Sequence, residues 1–222
     1  MKVLIVYWHP EPQSFNHAML ETAEKALRDA GHEVQVSDLL AMDFQAASTR
    51  ANFTTVADAG FFKQQAEETH ATEVAGFAPE LEAEMANMEW CDLMIMQFPL
   101  WWFGLPAVMK GWVDRVFAMG RIYGGGKIYE TGTMRGKQAM LSLTTGGLAP
   151  IYESDGFNGD INGILRPIHR GILQFVGFDV LAPEIVYGPA RIGDEERRAA
   201  LARYAERLRA IESEAPIEVG RY

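Results

Sequence analysis

The feature that most limits the fold of this chain is the alternation of short apolar segments with longer segments of helical periodicity. The segment from Val3 to Trp8 is apolar and β-branched, and apolar residues then recur at three- and four-residue spacing from Leu20 to Ala30 before Gly31. The unit recurs, with strands predicted at HEVQVSDL, DLMIMQF, KQAMLSL and FDVLAPEIVY and helices at 107–117, 161–176 and near the end of the chain. Because the central strands are apolar on both faces, we expect a parallel sheet covered on two sides.

Five predicted strands indicate an α/β protein with a flavodoxin-like, doubly wound, five-stranded parallel sheet and helices on both faces. In such sheets ligands bind beyond the carboxyl ends of the strands, where the strand order reverses. The segments that follow Trp8, Phe98 and Leu143 are therefore the places where a site is expected.

Length and composition predict a single domain over residues 1–222, because 48% of the residues are hydrophobic and 23% are charged. The stretch between Ala41 and Ala78 is polar and shows little periodicity. We interpret it as a long excursion packed around the site or around a partner.

The net charge of -10 argues against nucleic acid or an anionic membrane surface as a partner. The apolar run after Lys2 is too short for the core of a signal peptide, and Pro99, Gly104 and Pro106 interrupt the other long apolar run, so stable membrane insertion is not expected. The single cysteine, Cys91, permits no internal disulfide and suits a reducing compartment, so a cytoplasmic location is the default expectation.

Two of the three candidate loops carry groups suited to a polar ligand. In HPEPQSFNHA, either Ser14 or Asn16 can cap the following helix, whose free N–H groups attract an anion, although an ordinary cap explains the segment equally well. In TTGG, from Thr144 to Gly147, backbone can approach the flat polar edge of a ligand, and a tight turn explains the pattern about as well.

The third loop, QFPLWWFGLPAVMKGW, contains two prolines that prevent its continuation as strand or helix. Trp101, Trp102 and Phe103 are consecutive, and three consecutive aromatic side chains cannot all point into one core. These rings are either displayed from a stiff loop or packed into the core as filling.

The segments HPEPQSFNHA, QFPLWWFGLPAVMKGWVDRVF, LSLTTGG and GDINGILRPIHRGILQFVGFDVLAP, in this order, resemble the NAD(P)H:quinone oxidoreductases of the DT-diaphorase type, including their bacterial relatives. The resemblance extends from about Lys2 to Ile211. It implies tightly bound FAD rather than FMN, a homodimer with active sites at the interface, and two-electron reduction of quinones by NADH or NADPH.

The resemblance also implies site residues, each of which is an expectation for the structure. The adenine-dinucleotide part of FAD would contact His9, Ser14, Phe15, Asn16 and Gln64, with Arg197 toward the adenine. The flavin ring would lie along Pro99, Leu100, Trp102 and Phe103, and its polar edge along Thr144, Thr145, Gly146, Gly147 and Tyr152. The substrate pocket would contain Trp102, Phe103 and Asn158, together with Tyr123 from the second subunit.

The chain departs from the mammalian members of this family at three places. Gly125 stands where they have a second pocket tyrosine and Asn158 where they have a histidine beside the flavin, and we expect no counterpart of the C-terminal extension that helps to shape their nicotinamide pocket. We expect a wider or more mobile slot, and catalytic roles for Tyr152 and Asn158 at the edge of the flavin where negative charge develops. The sequence does not identify the quinone that is reduced or the preferred nicotinamide donor.

Trp102 and Phe103 are interpreted as the wall of a flat slot in which nicotinamide and quinone stack in turn. The chain contains no G-x-G-x-x-G motif for a separate nicotinamide domain, so donor and acceptor would share one site and follow ping-pong kinetics.

Two other functions share the fold: an FMN electron carrier that serves a protein partner, and a regulatory subunit of a potassium-efflux system. The aromatic loop and the long insertions favour the enzyme over a simple carrier. The five histidines show no metal-ligand spacing, so no metal is expected, and Cys91 is interpreted as a buried thiol.

Overall fold

The computed structural model describes residues 1–221. The strands are β1 (Lys2–Tyr7), β2 (Glu33–Asp38), β3 (Leu93–Pro99), β4 (Gln138–Thr145), β5 (Asp179–Val180) and β6 (Glu184–Tyr187). The α-helices are α1 (Phe15–Asp29), α2 (Gln64–Val74), α3 (Pro79–Trp90), α4 (Ala107–Val116), α5 (Ile161–Ile168) and α6 (Asp194–Arg209).

The strands form one parallel sheet in the order β2-β1-β3-β4-β5, and β6 also pairs with β4. β5 pairs with the first residues of β4 and β6 with its last ones, so the two pieces together occupy the place of the predicted fifth strand. Pro183 lies in the gap between them, where it has no N–H to donate to the sheet. The flavodoxin-like doubly wound fold is confirmed, and the strand order reverses between β1 and β3.

The sheet is covered on both faces, as the apolar strands predicted. Met94, Met96 and Phe98 of β3 pack in a cluster with α3, α4 and α5, whereas Leu93 and Ile95 pack in a second cluster with α1 and α6. Burial of each large apolar side chain stabilises the fold by about 1.5–3 kcal/mol. These two clusters fix the position of the carboxyl edge of the sheet.

The polar stretch 41–78 is more ordered than its sequence pattern indicates, because it contains the whole of α2. The guanidinium of buried Arg115 on α4 holds this excursion, donating to Asn52 Oδ1 at 2.8 Å and to the Gln45 carbonyl at 2.7 Å. Gly111 permits the close contact, since a Cβ there would lie 2.3 Å from the carbonyl oxygen of Ala46.

The helix predicted over 161–176 is divided into three parts. After α5 the chain forms a π-helical turn at His169–Leu173 and a 3-10 turn at Gln174–Val176. Pro167 within α5 lacks the N–H that would bond to the preceding turn, and this accounts for the loss of regular α-helix nearby.

Between Met1 and Arg221, none of the helices has both the length and the apolar character that crossing a bilayer requires.

Candidate active site

The loops after β1, β3 and β4 meet at the carboxyl edge of the sheet. Tyr7 pairs in register with Gln97, and Pro99 pairs with Thr144, so the three strands end side by side. The backbone N–H of Leu100 donates to the Thr144 carbonyl at 2.8 Å. The predicted location at the reversal of strand order is therefore where these loops converge.

Residues Trp101–Gly104 form a tight turn, here called the aromatic turn. Trp101 and Gly104 exchange backbone hydrogen bonds of 3.2 and 3.0 Å, and the two residues between them have positive φ angles, 50° at Trp102 and 59° at Phe103. This is the backbone of a type I′ turn, which normally contains Asn and Gly. Holding a bulky residue at a positive φ angle costs about 1 kcal/mol or more for each residue. The turn is therefore strained, and its conformation displays the side chains of Trp102 and Phe103.

The side chains of the aromatic turn divide into one anchor and two displayed rings. The Trp101 ring packs edge-on against Trp8 at a centroid distance of 5.1 Å. Trp102 is 97% exposed and Phe103 is 51% exposed. The two rings therefore offer apolar surface beside the loops after β1 and β4.

A cleft of about 400 Å³, here called the α1 cleft, opens at the N-terminus of α1. Its lining consists of His9, Gln13, Ser14, Phe15, Asn16, Ala18, Thr144, Pro189, Ala190 and Arg197. Of the two capping candidates, Ser14 is the N-cap, because its side chain accepts from the His17 N–H at 3.1 Å. Desolvation lowers the pKa of His9, which favours its neutral form in the cleft.

Asn16 is 1% exposed and connects the α1 cleft to the interior of the sheet. Its Nδ2 donates to Thr144 Oγ1 at 3.1 Å, and its backbone carbonyl accepts from Gln97 Nε2 at 2.5 Å. Gln97 had no predicted role, although it is the only polar residue in β3. Gln13, in the loop after β1, was also missed. Pro189 and Ala190 were missed because only the fold shows that the loop after β6 reaches this cleft.

Arg197 borders the α1 cleft but uses much of its donor capacity within the protein. Its guanidinium donates to the carbonyls of Pro189 at 2.9 Å and Ile192 at 2.7 Å and pairs with Asp194. Arg197 thus holds the loop between β6 and α6 against the cleft.

The glycine-rich turn after β4 is fixed by hydrogen bonds to its backbone. Thr145 Oγ1 donates to the Gly147 carbonyl at 2.7 Å, and Arg191 Nε donates to the Gly146 carbonyl at 2.8 Å. A Cβ on Gly147 would lie 2.3 Å from Ile151 Cδ1, whereas a Cβ on Gly146 would meet open space. Gly146 therefore leaves room for close approach of a ligand to the backbone.

Tyr152 and Asn158 follow this turn on one compact loop. Tyr152 ends a 3-10 turn, is buried, and lies with its ring centroid 5.8 Å from that of Tyr187. The Asn158 backbone N–H donates to the Ile151 carbonyl at 2.8 Å, which closes the loop beside Tyr152. The structure brings the two predicted catalytic residues into one loop.

Gln64 and Tyr123 lie in a different cleft, of about 540 Å³, here called the α2–α4 cleft. Gln64 Nε2 donates to Glu68 Oε1 at 2.8 Å and to the Asp114 carbonyl at 3.0 Å, and Tyr123 packs edge-on against Phe175 at 5.9 Å. This cleft shares no lining residue with the α1 cleft. Within one chain, the structure therefore does not bring these two predicted site residues to the others.

The segment after Tyr123 has an unusual backbone. Gly124, Gly125 and Gly126 have φ angles of 106°, 61° and 82°, and a Cβ on either Gly125 or Gly126 would meet open space. Gly125 therefore stands in an open loop that follows Tyr123.

Residues 1–221 contain no group of three or more His, Cys, Asp or Glu side chains arranged to hold a metal ion. The site instead combines displayed aromatic rings, a helix N-terminus and hydroxyl groups, which suits a flat ligand with an anionic tail.

Sequence and structure comparisons agree on the family. Residues 1–211 match a family model described as a flavodoxin-like fold. Ribosyldihydronicotinamide dehydrogenase [quinone] of Mus musculus is 42% identical over 97% of this chain and 94% of that protein, and NAD(P)H dehydrogenase [quinone] 1 of Cavia porcellus is 42% identical over 97% and 79%. A Klebsiella pneumoniae protein assigned as a quinone reductase superposes with a TM-score of 0.94 at 40% identity, covering 98% of this chain and 87% of that one.

The fold and the candidate site thus define a flavodoxin-like protein with a cleft and displayed aromatic rings at the carboxyl edge of the sheet. The chain belongs to the flavodoxin-like family of NAD(P)H:quinone oxidoreductases.

Proposed function

We propose that this protein is a flavin-dependent NAD(P)H:quinone oxidoreductase that transfers two electrons as hydride through bound FAD. The observation that supports this most directly is the aromatic turn. It is held in a strained conformation that displays Trp102 and Phe103, and Leu100 beside it is hydrogen-bonded to Thr144. A chain has no packing reason to bear this strain, because the Trp102 ring contacts so little of its own protein.

The residues at the carboxyl edge fit a flavin dinucleotide. The N-terminus of α1, capped by Ser14, would hold the diphosphate, with His9 and Phe15 beside it and Arg197 toward the adenine. Pro99, Leu100 and the displayed rings would lie along the isoalloxazine, whose polar edge would meet the turn from Thr144 to Gly147.

The choice of FAD over FMN rests on the sequence resemblance to the DT-diaphorase type and on the segment after β1, which lacks the Ser/Thr-rich phosphate loop of an FMN-binding flavodoxin. FMN is the alternative: general stress protein 14 of Treponema denticola, solved in complex with FMN, shares the fold with a TM-score of 0.67 at 22% identity.

When bound, the flavin accepts a hydride from the dihydronicotinamide and delivers it to the quinone. The aromatic wall would exclude water and hold each substrate parallel to the ring. Tyr152 and Asn158 would donate hydrogen bonds at the N1 and O2 edge, where negative charge develops on reduction. The amide of Asn158 donates without titrating near neutrality.

A single slot for donor and acceptor implies ping-pong kinetics, in which the oxidised nicotinamide leaves before the quinone enters. The displayed rings of Trp102 and Phe103 follow β3, and the end of β3 pairs with Thr144 of the α1 cleft. The two substrates would therefore exclude each other.

The proposed active unit is a homodimer. Trp102 is almost fully exposed in one chain, and Tyr123 and Gln64 line the separate α2–α4 cleft. A second subunit would bring its Tyr123 over the aromatic turn and complete the substrate pocket. Light scattering tests this, and a fully active monomer would refute it.

The names of the relatives suggest two classes of electron donor for this protein. Proteins named for ribosyldihydronicotinamide and for NAD(P)H are equally similar to this chain, at 42% identity. Initial rates with NADH, NADPH and dihydronicotinamide riboside at equal concentrations would rank the three donors. We expect the enzyme to act in the cytoplasm.

Mass spectrometry of the flavin released from the purified protein tests the cofactor assignment. The proposal requires FAD, and FMN alone would overturn it. If FMN is found and the protein reduces quinones only when a partner protein is added, the electron-carrier function replaces the proposed one. Co-purification with a membrane transporter would support the regulatory-subunit alternative.

A further inference from the structure

A buried row of polar side chains leads from the interior of the sheet to the α1 cleft. Gln97 on β3 is fully buried, Asn16 on α1 is 1% exposed, and Thr144 at the end of β4 lines the cleft. A buried amide is costly unless it is hydrogen-bonded, so the contacts of Gln97 need an explanation.

The orientation of the Gln97 amide is fixed by chemistry. Its terminal group lies 2.5 Å from the backbone carbonyl oxygen of Asn16. A carbonyl oxygen can only accept a hydrogen bond, so the nearby atom of Gln97 must be the donor Nε2.

The Gln97 amide in turn fixes the amide of Asn16. The same Nε2 lies 3.4 Å from the side-chain oxygen of Asn16, and a flipped Asn16 amide would place two donors against each other there. The Asn16 Nδ2 is consequently directed at Thr144 Oγ1, 3.1 Å away.

Thr144 is the end of this row. Its hydroxyl accepts from Asn16, so its single proton is not used in that contact. Within residues 1–221 its hydroxyl makes no other side-chain hydrogen bond, and the residue faces the α1 cleft.

We propose that Gln97 is a positioning residue that sets the direction of this hydrogen-bond row and thereby makes the Thr144 hydroxyl a donor to the flavin. The inference rests on the proposed function. The polar edge of an isoalloxazine presents both acceptors and an N–H donor. Asn16 occupies one of the two lone pairs of the Thr144 hydroxyl and leaves its proton free, so the hydroxyl can donate to a carbonyl oxygen or an unprotonated ring nitrogen. The row would fix the register of the ring along its polar edge.

The test is a double-mutant cycle on the flavin-loaded protein, with Gln97→Met, Thr144→Val and the double variant. Gln97→Met keeps the side-chain length and removes the amide, and Thr144→Val keeps the shape and removes the hydroxyl. The readouts are the FAD dissociation constant by fluorescence titration and the absorption spectrum of the bound flavin, which reports on hydrogen bonds to the ring.

Each single variant is expected to weaken FAD binding about three- to tenfold, the range for one lost hydrogen bond, and to shift the flavin spectrum in the same direction. The double variant should lose no more than the larger single loss, because both changes remove the same donor. Thr144→Ser keeps the hydroxyl and should restore binding and spectrum.

Ser142→Ala is the matched control. Ser142 is the register partner of Gln97 on β4, is equally buried, and has no hydrogen bond to Asn16, so its removal should leave flavin binding unchanged. If Gln97→Met does not fold, the same cycle with Asn16→Leu and Thr144→Val applies, with the same non-additive result expected.

Losses that multiply in the double variant, or a Thr144→Val protein with unchanged FAD affinity and spectrum, would overturn the inference about Gln97. A wild-type protein that binds no flavin would overturn the proposed function itself.

Discussion

The backbone N–H of Leu100 lies 2.8 Å from the carbonyl oxygen of Thr144 and donates to it. This bond extends the pairing of β3 with β4 by one residue beyond the end of β3. The bond joins the segment that leads into the aromatic turn to the segment that leads into the glycine-rich turn. The apolar wall and the polar edge of the proposed flavin site are therefore held together by backbone pairing.

The strain in the aromatic turn predicts opposite effects of Trp102→Gly on stability and on activity. Glycine tolerates the positive φ angle, and the almost fully exposed Trp102 ring contributes little packing, so the free energy of unfolding should be unchanged or rise by up to about 1 kcal/mol. Quinone reduction should fall, because part of the wall is lost. Urea unfolding and steady-state rates measure the two effects.

Trp101→Gly is the control for this pair of effects. Trp101 packs against Trp8, so its replacement should lower stability instead. A Trp102→Gly protein that is clearly less stable than wild type would contradict the interpretation of strain.

Tyr152→Phe should slow reduction of the flavin by on the order of ten- to a thousandfold, the range for loss of one charge-stabilising donor. The Tyr152 ring is buried against Tyr187, and phenylalanine keeps this packing. Stopped-flow absorbance of the flavin after mixing with NADPH measures the rate. An unchanged rate would remove Tyr152 from the catalytic residues.

Asn158→His should introduce a pH dependence that the parent enzyme lacks. An asparagine amide does not titrate near neutrality, whereas an unperturbed histidine titrates near pH ~6.5. Desolvation lowers the pKa of His9, the histidine that lines the α1 cleft, so any step from His9 is expected at a lower pH than that of an unperturbed histidine. If the parent already shows a step near pH ~6.5 and the variant leaves it unchanged, the assignment of position 158 is wrong.

Because His169 is buried, we expect the folded protein to lose stability in acid. Burial lowers its pKa from 6.5 to about 4, so the unfolded chain binds a proton more readily than the folded protein between these values. The free energy of unfolding should therefore fall by up to about 3 kcal/mol from this group as the pH decreases through that window. His169→Gln should flatten the dependence, measured by urea unfolding at several pH values.

His70→Gln, at a partly exposed histidine of α2, serves as the control and should leave the slope unchanged. Equal slopes for the wild type and His169→Gln would refute the role of this group.

The alternation of apolar and periodic segments was sufficient to predict the sheet, the two covered faces and the three loops at its carboxyl edge. The row from Gln97 to Thr144 could not be predicted, because it depends on the register of β3 and on where α1 packs. The positive φ angles of Trp102 and Phe103 were equally inaccessible, since local preference opposes them. The helix α2 was missed because its polar sequence lacks an apolar stripe and its position depends on contacts with other elements.

The proposed function requires that this protein, without any other protein as partner, transfers hydride from a dihydronicotinamide to a quinone at one shared slot. The most direct test is a matrix of initial rates with purified protein, varied NADPH and a varied soluble quinone, without any partner protein. We expect turnover with parallel double-reciprocal lines. Absence of turnover would contradict the enzyme, and intersecting lines would contradict the shared slot.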